Sequence, residues 1–152
     1  MSTSLIARIL VHILALLVLT HAATLVASPP TDNDWVYAWL VGPWEQITNL
    51  LWVAVLLQVV AIVVVVLRFP GDRRPLRVGL LIVGAIIATT VNAVVLSLIA
   101  ALTDTSSSGI DSFGIALFVT GLAGMVFVVA AALAAALAEY ALLPTPRSTV
   151  AT

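Results

Sequence analysis

Apolar residues run along this chain in four long blocks, at about residues 5–27, 46–67, 76–102 and 113–143, with short polar stretches between them. Each block reaches the length of about 20 mostly apolar residues that carries an α-helix across the roughly 30 Å hydrocarbon core of a bilayer. The fourth is longer than a crossing needs, so it must tilt or extend beyond the lipid. Between the blocks lie helix breakers: Ser28-Pro29-Pro30-Thr31-Asp32-Asn33-Asp34, Pro70-Gly71-Asp72 and Asp104-Thr105-Ser106-Ser107-Ser108-Gly109, with Pro144-Thr145-Pro146 opening a tail over 144–152. The pattern predicts one all-α domain, a polytopic membrane protein built as a four-transmembrane-helix bundle. A cleaved signal peptide is the competing reading of the first block. Its apolar run is too long for a typical signal core and Leu25-Val26-Ala27-Ser28 is a poor cleavage site, so it is read as a span.

Composition strengthens this picture. The chain is 62% hydrophobic and 9% charged, against about 45–50% and about 25% in an ordinary soluble domain. A water-soluble fold of this size has too little interior to hide that surface, so lipid must solvate it. A net charge of -1, with six scattered basic residues, provides no basic stripe for nucleic acid. The absence of cysteine excludes disulfides, thiolate metal sites and thiol nucleophiles. Lysine is absent too, and the Ala, Val, Leu and Arg usage points to a bacterial source.

The arginines orient the chain. Arg8 lies at the start of the first block, Arg68, Arg73, Arg74 and Arg77 surround the second loop, and Arg147 lies in the tail, while the first and third loops hold no basic residue. Basic residues resist translocation, so all of them assign both termini and the middle loop to the cytoplasmic face, an N-in/C-in topology in a bacterial cytoplasmic membrane. The first outer loop concentrates aromatic residues, Trp35, Tyr37, Trp39 and Trp44. Indole and phenol rings favour the headgroup region, so this loop is expected to form a short interfacial segment, capped by Asp34 and stopped by Gly42-Pro43. The same rings could instead build a docking surface.

Within lipid, helices meet where small side chains let backbones approach. The third block carries Ala85, Thr89, Ala93, Ser97 and Ala101 at four-residue spacing, and the fourth carries Ala116, Thr120 and Gly124 before an alanine-rich end. These two helices are expected to face each other. The run Val63-Val64-Val65-Val66 is expected to face lipid.

Polar side chains inside a membrane are where chemistry would show, because each is costly without a partner. His12, His21, Gln58, Asn92 and Thr120 are the candidates, and depth permits His21, Asn92 and Thr120 to meet. Their expected role is hydrogen-bonded contact between helices, with a proton relay through either histidine as the sharper alternative. The two histidines are nine residues apart, on roughly opposite sides of one helix and about 13.5 Å apart along it, so they cannot share a metal or haem within one copy. Glu139 is placed at the cytoplasmic headgroup level, paired at modest value with Arg8, Arg77 or Arg147. No nucleophile turn, HExxH motif or phosphate-cradling loop is present. No cofactor is predicted. The expected function is that of a non-enzymatic accessory, assembly or scaffold subunit in a larger membrane complex, with other membrane subunits or a second copy as partners. The alternatives are a small homo-oligomeric transporter or channel and a haem- or quinone-associated protein.

Overall fold

The computed structural model describes residues 3–27, 40–70, 73–103 and 109–143. Among them are five α-helices, a closing π-helical turn and no strand: α1 (Thr3–Ala27), α2 (Gly42–Leu50), α3 (Trp52–Arg68), α4 (Arg74–Thr103), α5 (Gly109–Leu137) and the π turn (Ala138–Leu142). Three stretches, Leu5–Ala27, Arg74–Thr103 and Asp111–Leu142, are long and apolar enough to cross a membrane, and the bent pair α2–α3 makes a fourth if taken as one span.

That bent pair departs from the sequence reading, which carried one straight helix over residues 46–67. The chain turns by 83° between Leu50 and Trp52. Leu51 carries the break, at φ -131° and ψ 4°. At 17 residues, α3 rises only about 25 Å. The helix that Gly42-Pro43 is expected to stop would begin outside the described residues, and the two residues open α2. Pro43 occupies the first turn of α2, where its missing N–H would have had no intrahelical partner in any case. The expected Asp34 cap and the rings of Trp35, Tyr37 and Trp39 lie outside the described residues, as does Arg147.

The four long helices form a ring in the order α1, α3, α4, α5, with α4 packing most extensively on α5. Each presents a stripe at three- and four-residue spacing to the centre: Ile9, His12 and Leu16 from α1; Ala54, Gln58, Ile62 and Val66 from α3; Leu81, Ala85, Ala88 and Asn92 from α4; Phe127, Ala131, Ala134 and Ala138 from α5 and its extension. Alanine fills most of the inward positions of α5 and of the middle of α4, and this lets the pair approach closely. A Cβ added at Gly124 would stand 3.2 Å from Cβ of Thr89, and one at Gly84 would stand 3.2 Å from Cβ of Ala61. Of the small-residue stripe, Ala85, Ala93 and Ser97 are buried, whereas Thr89, Ala101 and Ala116 are half-buried. The buried row of α4 therefore follows Leu81, Ala85, Ala88 and Asn92 rather than a strict four-residue ladder, since 3.6 residues per turn rotates such a ladder off the face.

The valine run is a second correction. Val64 points outward, but Val65 and Val66 are buried. Successive helical residues rotate by about 100°, so four in a row cannot share one face.

Candidate functional site: a buried ion cluster and two helix clamps

The ends of α1, α3, α4 and α5 that lie nearest Arg68 and Arg74 converge on a charged cluster. Arg77 enters from the first turn of α4, in register with Leu81 and Ala85, and is fully buried. Its Nε and one terminal nitrogen donate to the two carboxylate oxygens of Glu139 at 2.6 and 2.7 Å. The other terminal nitrogen donates to the Phe69 carbonyl at 2.9 Å, closing the last turn of α3. Glu139 belongs to the π turn, whose wider Leu143 N–H to Ala138 carbonyl bond adds a residue to the turn. It too is fully buried, in line with the tendency of π turns to occur where side chains must be re-aimed. His12 of α1 completes the group: Nδ1 is 2.8 Å from the Arg8 carbonyl, and Nε2 is 3.3 Å from Oε1 of Glu139. That last contact has ion-pair distance without hydrogen-bond direction, so Nε2 has no hydrogen-bond partner within the protein.

Glu139 thus pairs with Arg77, one of its expected partners, but in a buried contact rather than a weak, solvated one. Counting residues gave its depth, but the helical register decides its direction. Positions 131, 135 and 139 follow one another at single-turn spacing on the buried face. Arg77, read from sequence as a determinant of orientation, is likewise drawn inward, while Arg68 and Arg73 are exposed. Arg74 is buried as well, with a long 3.5 Å contact to the Leu143 carbonyl.

One turn deeper, Gln58 of α3 donates to the Leu81 carbonyl of α4 at 2.9 Å. Its Oε1 has no hydrogen-bond partner within the protein. A void of about 10 Å³ lies here, lined by His12, Leu16, Gln58, Ile62, Leu81 and three alanines of α5. Thus His12 and Gln58, on separate helices, border one small space.

Asn92 serves the break in the second span. Its amide nitrogen donates to the Leu50 carbonyl at 2.7 Å and its oxygen accepts from the Ala54 N–H at 3.3 Å. These groups belong to the end of α2 and the first turn of α3, where Leu51 supplies no side-chain cap. One amide from α4 satisfies an orphan donor and an orphan acceptor of the kind every helix terminus leaves.

The remaining candidates are placed separately. Thr120 is buried but donates to the Ala116 carbonyl of its own helix at 2.6 Å. Ser97 bonds to Ala93 in the same way, as serine and threonine commonly do inside helices. The ring of His21 packs against Trp44 of α2, with centroids 5.2 Å apart and planes at 41°. The depth-based grouping of His21, Asn92 and Thr120 is therefore not reflected in the bonds these three side chains make. Among the described residues no three His, Asp or Glu side chains are grouped as a metal site.

No protein-family description matches the chain, and neither curated proteins nor solved structures include a match.

Proposed function

We propose that this protein is a non-enzymatic accessory or scaffold subunit of a bacterial cytoplasmic-membrane complex, held N-in/C-in with its arginine-rich end at the cytoplasmic face. The observation that carries the reading is the use made of the polar side chains. Arg77 and Glu139 tie α4, α5 and the end of α3 together, and Asn92 clamps the broken span. Gln58 links α3 to α4. These groups serve the bundle itself, and the void that His12 and Gln58 border has about the volume of one water.

The outward surface is the second support. Large apolar side chains such as Leu14, Leu56, Ile87, Phe118 and Met125 are exposed along all four long helices, a surface suited to lipid and to neighbouring helices. On one side, a groove of about 560 Å³ between α4 and α5 exposes Thr90 and Gly121 beside Ala93 and Gly124. Small residues of this kind give a partner helix a close approach. The orientation follows from the arginine distribution.

Purification from native membranes in a mild detergent tests the proposal. A stoichiometric membrane partner is expected, whose recovery falls when Gly121 is replaced by Phe to block the groove. A protein that purifies alone, as a monomer, from membranes in which it is expressed at native level would sink it.

A further inference from the structure

The side-chain amide of Gln58 has a fixed orientation. The Leu81 carbonyl only accepts, so the atom 2.9 Å from it is the nitrogen, and the oxygen occupies the other branch of the amide. That oxygen, Oε1, is buried with no hydrogen-bond partner within the protein. On the α4 side it meets Gly84, where an added Cβ would stand 3.4 Å away and where no side chain can donate. His12 repeats the pattern on α1. Its Nδ1 is committed to the Arg8 carbonyl at 2.8 Å, while Nε2 is buried with no hydrogen-bond partner. Gln58 and His12 are 1% and 2% exposed, and both line the same void. Each of them therefore brings one orphaned polar atom to a place that bulk water does not reach.

We infer that this void is a binding site for a single water molecule, which bridges Nε2 of His12 and Oε1 of Gln58 and so ties α1 to α3 inside the bundle. Two conditions decide whether a cavity holds water: room for the molecule, and polar groups to bond it. The volume of about 10 Å³ is at the lower limit for one molecule, so nothing larger fits. The two orphaned atoms supply the bonds. The rest of the wall is Leu16, Ile62, Leu81 and three alanines of α5. Those apolar groups offer the molecule no competing partner and confine it between the two polar ones.

Water suits both atoms because it donates and accepts. Oε1 only accepts, so it takes one of the two water protons. Nε2 accepts in one state of the ring and donates in the other, and the same molecule serves either by turning. The site therefore does not depend on the charge of His12. An unpaired polar group inside an apolar bundle is costly, and one molecule removes two such groups at once. The small side chains of α5 keep the space open: Ala131, Ala134 and Ala135 all border it, and each is almost fully buried. The site is internal to one copy of the chain and needs no partner subunit.

The test is NMR of the full-length protein in phosphatidylcholine nanodiscs, labelled with ¹⁵N in the side-chain amides of glutamine and asparagine. Gln46 and Gln58 are the chain's two glutamines, and Gln58→Leu assigns their signals. Magnetisation transfer from water is expected to reach the Gln58 amide protons. The Asn92 amide is the dry control, since it is equally buried and both its polar atoms bond within the protein. No water cross-peak at Gln58, or equal peaks at Gln58 and Asn92, overturns the inference. Ala135→Val fills the void from α5 and is expected to remove the Gln58 peak; its persistence overturns the placement of the water. Should that variant not fold, the ring decides from the other side. With His21→Gln leaving His12 as the single histidine, the carbon-bound proton beside Nε2 is expected to show a water cross-peak that Gln58→Leu abolishes. A peak that survives Gln58→Leu means that the water does not bridge the two residues, and overturns the inference as well.

Discussion

Arg77 and Glu139, from opposite ends of the α4–α5 hairpin in sequence, meet through two charge-assisted bonds of 2.6 and 2.7 Å with neither side chain exposed. Desolvating two charges is expensive, and an apolar pair of similar volume often does as well or better. Removing one partner is another matter, because it strands the other charge in the bundle. Glu139→Ala is expected to destabilise the protein by about 3–5 kcal/mol. Arg77→Met with Glu139→Leu should recover most of that loss. Equilibrium unfolding in mixed micelles of increasing SDS fraction measures both, and a double variant as unstable as the single one would mean that the pair contributes more than mutual neutralisation.

Asn92 predicts a local effect rather than a global one. Asn92→Leu keeps the side-chain volume but leaves the Leu50 carbonyl and the Ala54 N–H without their partner. Each buried orphan costs about 1–3 kcal/mol, although cross-helix bonds in membranes often measure less, about 0.6 kcal/mol. The expected signature is faster amide hydrogen exchange confined to the region of Leu50 to Val55, with α5 unchanged. Uniform acceleration over all helices would instead point to loss of the whole bundle.

The glycines separate close packing from helix propensity. Gly124 faces Thr89 so closely that an added Cβ would stand 3.2 Å away, whereas a Cβ at Gly114 would meet nothing within 4 Å. Gly124→Val is expected to destabilise by about 1–3 kcal/mol through overpacking. Gly114→Ala should be neutral or stabilising by about 0.5–1 kcal/mol, since it removes backbone freedom from the unfolded chain without a clash. Thermal unfolding in one detergent compares the two directly.

How much of this was readable in the sequence differs by kind of signal. Span length and hydropathy located α1, α4 and α5 to within a few residues, because lipid imposes a minimum apolar length. The break at Leu51 carried no such mark. The chain there reads Asn49-Leu50-Leu51-Trp52, with neither proline nor glycine, and its stabilising amide comes from Asn92 in another helix. Propensity reports on neighbours along the chain, so a clamp supplied from 42 residues away is invisible to it. The ion cluster was partly readable. Arg77 shares a face with Leu81, Ala85, Ala88 and Asn92, and Glu139 shares one with Ala131 and Ala135. Following those faces, rather than counting depth from a span boundary, would have turned both charges inward. The pairing itself, and the union of His12 with Gln58 at one void, required the order of the helices around the bundle.

Orientation gives the last prediction, and the absence of native cysteine makes it direct. Every arginine of the second loop lies between α3 and the start of α4, while Trp44 and α2 lie at the opposite end of the bundle. Basic residues flanking short loops stay on the cytoplasmic face, so the loop after α3 is expected inside and α2 outside. Pro70 and Thr48 are both exposed, and neither contributes to the charge bias. In intact spheroplasts a membrane-impermeant maleimide is expected to label Thr48→Cys at once and Pro70→Cys only after the membrane is opened. Burial of Arg77 with Glu139, and of Arg74 beside the Leu143 carbonyl, leaves Arg68 and Arg73 as the exposed basic residues of the loop. Replacing Arg68 and Arg73 by Gln is accordingly expected to produce a mixed population, with part of the Pro70→Cys label appearing in unopened cells. Immediate labelling of Pro70→Cys in the otherwise unaltered protein would reverse the assignment and place the ion cluster near the outer face.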